Sequence, residues 1–173
     1  MASASLLIGL HMSDGNVPVR CGNIAVTVLR GDGEDAKVLL LRRSKGVLSG
    51  LWSQVTGRIE AGETGWAAAL REVMEETGIQ PSRLYSADFC DFFYDASSNS
   101  IEAIPMFLAT VAAGSEVGLN SENMEFCWVD LADAANMVPF LGHRIALREI
   151  RRDFIENVPM PWKMIWPQEA KAR

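Results

Sequence analysis

The stretch from Thr64 to Gly78 carries signals at both ends that limit a helix to the residues between them. Thr64 is a hydroxyl residue of the type that accepts a first-turn N–H, Gly78 stands where a left-handed residue closes a helix, and Ala67-Ala68-Ala69-Leu70 has strong helical propensity. The flanking chain has a different grain. Residues 23–29 and 37–41 are rich in branched apolar side chains, with Gly31-Asp32-Gly33-Glu34-Asp35 between them as turn chemistry, which predicts a hairpin. Residues 52–55, 84–93, 101–111 and 126–129 read as further strands, and 140–155 as a second, amphipathic helix. Gly57, Gly62 and Gly65 interrupt the chain just before the first helix and mark a loop. Strands that outnumber helices and alternate with them only partly predict an α/β class with a mixed sheet.

Within the marked helix, a turn of about 100° per residue puts Trp66, Leu70, Val73 and Thr77 on one face and Glu72, Glu75 and Glu76 on the other. Gly65, Ala68 and Ala69 are read as lying on the acidic side, where small residues leave room for a ligand. Glu72 and Glu76 repel at i and i+4, and only Glu75 has a helical counter-charge, in Arg71. Clustered carboxylate oxygens are what a hard divalent cation requires, so the pattern predicts Mg²⁺.

Residues 57–79 also satisfy every specified position of G-x5-E-x7-R-E-U-x-E-E-x-G-U, where U is aliphatic: Gly57, Glu63, Arg71, Glu72, Val73, Glu75, Glu76, Gly78 and Ile79. That pattern resembles the signature of the Nudix hydrolases. The resemblance implies an α/β/α sandwich around a mixed β-sheet, with the loop and helix binding Mg²⁺ or Mn²⁺ against a substrate diphosphate. It implies metal binding by Glu72, Glu75 and Glu76, and a bracing salt bridge between Glu63 and Arg71. It further suggests Glu122, in Ser121-Glu122-Asn123, as an additional ligand or base. Glu72 is the first candidate to accept the proton from the attacking water, with Glu122 second and Glu76 a third acid needed for turnover.

The substituent on the phosphates must be read outside this segment. Arg42-Arg43, Trp52 to Gly57, Glu122 and Trp128 resemble the dihydroneopterin triphosphate pyrophosphatase subgroup, which implies that Arg42 contacts phosphate and that Thr56 and Gly57 line the substrate site. The segment around Asp91 and the C-terminal region depart from that subgroup. The expected reaction is Mg²⁺-dependent hydrolysis of a nucleoside or pterin triphosphate to pyrophosphate and a monophosphate. Hydrolysis of dinucleoside polyphosphates or nucleotide sugars is the alternative, and a non-catalytic nucleotide-binding module is disfavoured because every signature acid is present. Tyr94 and His143 are read as a packing residue and a surface or cap residue.

A formal charge of −6 gives no general attraction to nucleic acid or anionic membrane, so a small di- or triphosphate must meet a local cation or a metal. No apolar run is long enough to span a bilayer. The three cysteines, Cys21, Cys90 and Cys127, lack paired spacing, which fits a reducing compartment and a cytoplasmic protein. Residues 1–18 are expected to form a disordered or extraneous tail, 19–158 the catalytic domain and 159–173 an irregular tail; oligomeric state is not encoded legibly.

Overall fold

The computed structural model describes residues 16–46 and 48–167. The terminal stretches 1–15 and 168–173, expected to belong to the tails, lie outside the described residues. In chain order the first elements are strands β1 (Val19–Arg20), β2 (Asn23–Arg30), β3 (Lys37–Arg43), β4 (Trp52–Ser53) and β5 (Val55–Arg58), then helix α1 (Gly65–Thr77). The remainder comprises β6 (Arg83–Asp95), β7 (Ser100–Val111), β8 (Asn123–Asp130), helices α2 (Leu131–Met137) and α3 (Leu141–Ile150), and β9 (Met164–Trp166).

These strands form one mixed sheet. The β2–β3 hairpin is antiparallel, with Val28 opposite Leu39, whereas β2 runs parallel to β7, with Val26 opposite Phe107. Because strand side chains alternate, β2 and β3 feed two cores at once. Ile24, Val26, Val28, Leu39 and Leu41 pack with Ala68, Ala69 and Val73 of α1 on one face. Ala25, Leu29, Val38 and Leu40 pack with Leu131, Ala134, Ala146, Leu147 and Ile150 of α2 and α3 on the other. The central strands therefore read as nearly unbroken apolar runs, as strands covered on both sides must. Leu147 and Ile150 are wholly buried, and each such side chain contributes about 2 kcal/mol from apolar surface removed from water. The layers are those of an α/β/α sandwich.

Three expectations are corrected. Ala68 and Ala69 are fully buried against the sheet and do not open space for a ligand. Gly65 is half-buried and also faces the sheet, where a Cβ would make ordinary contacts with Phe107 at 3.7 Å and Ile24 at 3.8 Å. Small residues on α1 thus let the helix approach the sheet closely. Helix α2 was not anticipated, because its seven residues span under two turns and show no full period. The chain from Pro159 is not irregular throughout: after a 3-10 turn at Pro161–Lys163, β9 pairs with β6. Lys163 is buried there, donating to Asp153 at 2.5 Å. Among the described residues no helix is long and apolar enough to cross a membrane.

Candidate active site

Helix α1 begins and ends where its flanking residues dictate. Thr64 Oγ1 accepts from the Ala67 N–H at 3.3 Å, and Gly78, at φ 68°, donates its N–H to Met74 at 2.8 Å. Those ends fix the rotation of the helix over the sheet, which gives the three acids different surroundings. Glu75 is exposed, Glu72 is partly covered, and Glu76 is only 4% exposed. The described hydrogen bond to Glu76 comes from Asn123 Nδ2, at 3.1 Å to Oε2. Burial pushes the Glu76 carboxyl up to about 7; the Asn123 amide opposes this, Glu72 and Glu122 add to it, and Arg43 opposes it. Burial also raises Glu72, against the pull of Arg71.

Arg71 does more than brace the loop. Its Nε and Nη2 grip Glu63 bidentately at 3.0 and 2.9 Å, and Nη2 also donates to the Arg58 carbonyl at 2.7 Å. Its Nη1 donates to Glu72 at 2.8 Å and to Glu75 at 3.0 Å. The guanidinium is thus a shared counter-cation for three carboxylates, and its bonds hold the Glu63 carboxyl below the usual range. Among the described residues no three acids are already drawn into a metal-ligating set. Glu72 and Glu75 turn to Arg71, and Glu76 turns to Asn123.

The acids nevertheless suit a hard cation. Their donor set is all oxygen, and Glu76 is a buried carboxylate with no cationic hydrogen-bond partner among the described residues. Gly57 of β5 is the cradle beneath Glu72: a Cβ at that position would lie 1.9 Å from the Glu72 carboxyl carbon. Glu72 and Glu75 open on a cavity of about 870 Å³ whose wall also includes Arg43, Thr56, Gly57 and Glu122. Glu76 lies behind this wall, so the expected trio is divided between two lining acids and one buried beneath them.

The two neighbouring arginines are placed opposite to expectation. Arg42 does not line the cavity; its Nε donates to the Gly50 carbonyl at 3.0 Å and its Nη1 to Glu125 at 3.1 Å. Arg43 does line it, loosely held by Thr56 at 3.4 Å and Glu122 at 3.5 Å, beyond the usual N–H···O length. Alternation along a strand lets only one of two adjacent side chains face a site, and β3 also shifts register against β8 between these two residues, so parity alone does not say which. Asn123, 6% exposed, was passed over beside the more conspicuous Glu122. His143, read as a surface or cap residue, is 5% exposed and lines the same cavity.

Comparisons with known proteins bear on this arrangement. A family model described as NUDIX domain matches residues 20–156. The octanoyltransferase of Myxococcus xanthus is 35% identical over 138 residues, covering 76% of this chain and 36% of that protein. The chain spans about a third of the length of the first curated relatives it matches. Among solved structures, a Caenorhabditis elegans Ap4A hydrolase in a binary complex aligns with a TM-score of 0.64 at 23% identity, over 79% of this chain and 96% of that one. The dihydroneopterin triphosphate pyrophosphohydrolase of E. coli aligns with a TM-score of 0.64 at 24% identity, over 78% and 97%. At these identities the structural likenesses speak for the fold.

Proposed function

The chain belongs to the NUDIX domain family, and on that footing we propose that it is a Mg²⁺-dependent pyrophosphohydrolase that attacks a phosphoanhydride of a nucleoside or pterin triphosphate with water, releasing pyrophosphate and a monophosphate. The observation that carries this reading is that Glu72, on the Gly57 cradle, lines a cavity that also presents Glu75 and Arg43, with the buried Glu76 carboxyl behind that wall.

Glu72, Glu75 and Glu76 are the residues that would hold Mg²⁺ or Mn²⁺. When bound, such an ion supplies charge neutralisation on phosphate oxygens and acidification of water. Arg43 can leave its long contacts with Thr56 and Glu122 for a phosphate oxygen at little cost. Thr56 and Gly57 border the same space, and the Thr56 hydroxyl can donate to the substrate once Arg43 moves. Glu72, raised by burial, is suited to take the proton from the attacking water, and the exposed Glu122 carboxylate is the second acceptor within the cavity. Arg71, through Glu63 and the Arg58 carbonyl, keeps the loop before α1 fixed while these acids work.

The two solved structures named above match equally well, one named for a triphosphate and the other for a dinucleoside polyphosphate, so the overall fold does not choose between these substrates. Products do. Incubation with Mg²⁺ and nucleoside triphosphates, dinucleoside polyphosphates or nucleotide sugars is expected to give pyrophosphate from a triphosphate as the dominant reaction. Cleavage confined to doubly substituted phosphates, with no pyrophosphate, would transfer the assignment to the dinucleotide class.

Gly57→Ala gives a sharper test of the cradle. The new methyl must displace the Glu72 carboxyl, and a shift of about 1 Å in a reacting group costs on the order of 10²-fold in rate. We expect kcat/KM to fall by that order while thermal melting changes by only a few degrees; an unchanged kcat/KM would remove Glu72 from the mechanism.

A further inference from the structure

The charged residues account for only part of the cavity wall. Strands β6 and β7 and the chain entering α3 supply one side of it, with Phe93, Ile104, Phe140 and Leu141 as apolar surface and Asp91 and His143 as polar groups. Phe93 is 46% and Leu141 63% exposed, so this apolar surface is open to whatever enters. The volume of about 870 Å³ stands near the top of the roughly 300–1,000 Å³ that enclose a drug-sized ligand, leaving room for a substituent beyond the phosphates.

His143 is the unusual member. It is buried, its ring leans on Phe140 with centroids 5.2 Å apart, and its Nδ1 has no hydrogen-bond partner among the described residues. Nδ1 is itself enclosed, so it is the ring as a cavity-lining group that an entering molecule meets, and the unmet hydrogen-bonding capacity of a buried imidazole, rare in folded proteins, sets it apart from the other lining residues. Burial lowers the imidazole to about 4, so near neutrality the ring is uncharged and offers one donor and one acceptor. The Asp91 carboxyl lies directly against the preceding residue: a Cβ on Gly142 would sit 2.0 Å from its Cγ. Glycine at 142 is therefore what lets the Asp91 carboxyl pack against the backbone of α3 one residue before His143, and both residues line the same cavity.

We infer that this part of the cavity is a subsite for the heterocycle carried by the phosphate chain, with Phe93, Ile104, Phe140 and Leu141 as its walls and His143 and Asp91 as the groups that read the ring's edge. A carboxylate with two oxygens is best matched by two adjacent N–H donors, and the imidazole by a neighbouring carbonyl or ring nitrogen. The 2-amino lactam edge shared by guanine and pterins presents that set, whereas adenine presents a single amino group. The inference rests on the hydrolase reading above for the phosphate chain, but the subsite is testable without turnover.

The test is calorimetric titration of the full chain, with Mg²⁺ present, by GMP, AMP and ribose 5-phosphate. GMP is expected to bind at least about tenfold more tightly than ribose 5-phosphate and more tightly than AMP, the size expected for one or two well-placed hydrogen bonds. His143→Phe and Asp91→Asn should each weaken GMP about tenfold and leave ribose 5-phosphate unaffected, while His143→Gln, which keeps a donor and an acceptor, recovers part of the loss. Should His143→Phe fail to fold, the exposed Leu141→Ser replaces it and is likewise expected to weaken GMP alone. Equal affinity for GMP and ribose 5-phosphate, or wild-type GMP affinity in both His143→Phe and Asp91→Asn, overturns the subsite. The two readings separate cleanly: base-dependent binding without any phosphoanhydride hydrolysis would uphold the subsite and remove the hydrolase, and hydrolysis without base-dependent binding would do the reverse.

Discussion

Glu76→Gln is expected to cut Mg²⁺-dependent turnover on the order of 10³-fold, about 4 kcal/mol, and at the same time to make the metal-free protein more stable at pH 8. The two effects have one cause. Glu76 is 4% exposed, and its described hydrogen bond comes from the neutral Asn123 amide, so its charge is costly until a cation arrives. Its carboxyl is raised from 4.5 in the unfolded chain to about 7 in the fold. Below pH 4.5 both states hold the proton, and between 4.5 and 7 only the folded state does, so stability falls as pH rises through that window and stays low above it. The full loss is on the order of 3 kcal/mol. Glutamine does not ionise, so its contribution does not change across the same range. Urea denaturation with a chelator at pH 5 and pH 8 measures the slope, and assays with Mg²⁺ measure the turnover. A variant that is both active and no more stable than wild type at pH 8 would mean that the Glu76 charge is neither costly nor used.

Arg71→Ala is expected to lower the melting temperature of the metal-free protein by about 10 °C, corresponding to about 3 kcal/mol for a chain of this size. Removing the guanidinium leaves Glu63 and Glu72, both partly buried, and Glu75 without their shared cation, and leaves the Arg58 carbonyl without its donor. Arg71→Lys should recover little, because a single ammonium cannot span the positions that the planar fork reaches. Mg²⁺ should restore part of the lost stability in Arg71→Ala by neutralising Glu72 and Glu75, an effect expected only if those acids hold the ion. Melting within a degree or two of wild type would show that the three ion pairs contribute nothing.

The sequence made legible what depends on short-range chemistry. Thr64 and Gly78 marked the ends of α1 because capping is a local event, and the hairpin of β2 and β3 followed from turn residues between two apolar runs. The salt bridge of Arg71 to Glu63 came from the signature and its pair with Glu75 from helical spacing, and both contacts are present, whereas the further bond of Arg71 to Glu72 was not anticipated. What stayed hidden depends on which neighbour wins a shared space. Ala68 and Ala69 suit a ligand-facing side and a tightly packed side equally, and the sheet took them. Arg42 and Arg43 differ only in strand parity, which a register shift in β3 unsettles, as another between Ser86 and Cys90 does ahead of Asp91. His143, near the start of its helix, was read as a surface or cap residue, and only the packing of α3 on β6 shows that it is covered.

Calorimetric titration of Mg²⁺ at pH 7, with methylenediphosphonate present as a diphosphate that cannot be hydrolysed, tests the central claim most directly. Because Glu76 is about half protonated there, the account predicts saturable uptake accompanied by proton release in wild type, with both lost in Glu76→Gln. No uptake by wild type, or the same uptake and proton release in the variant, would contradict it.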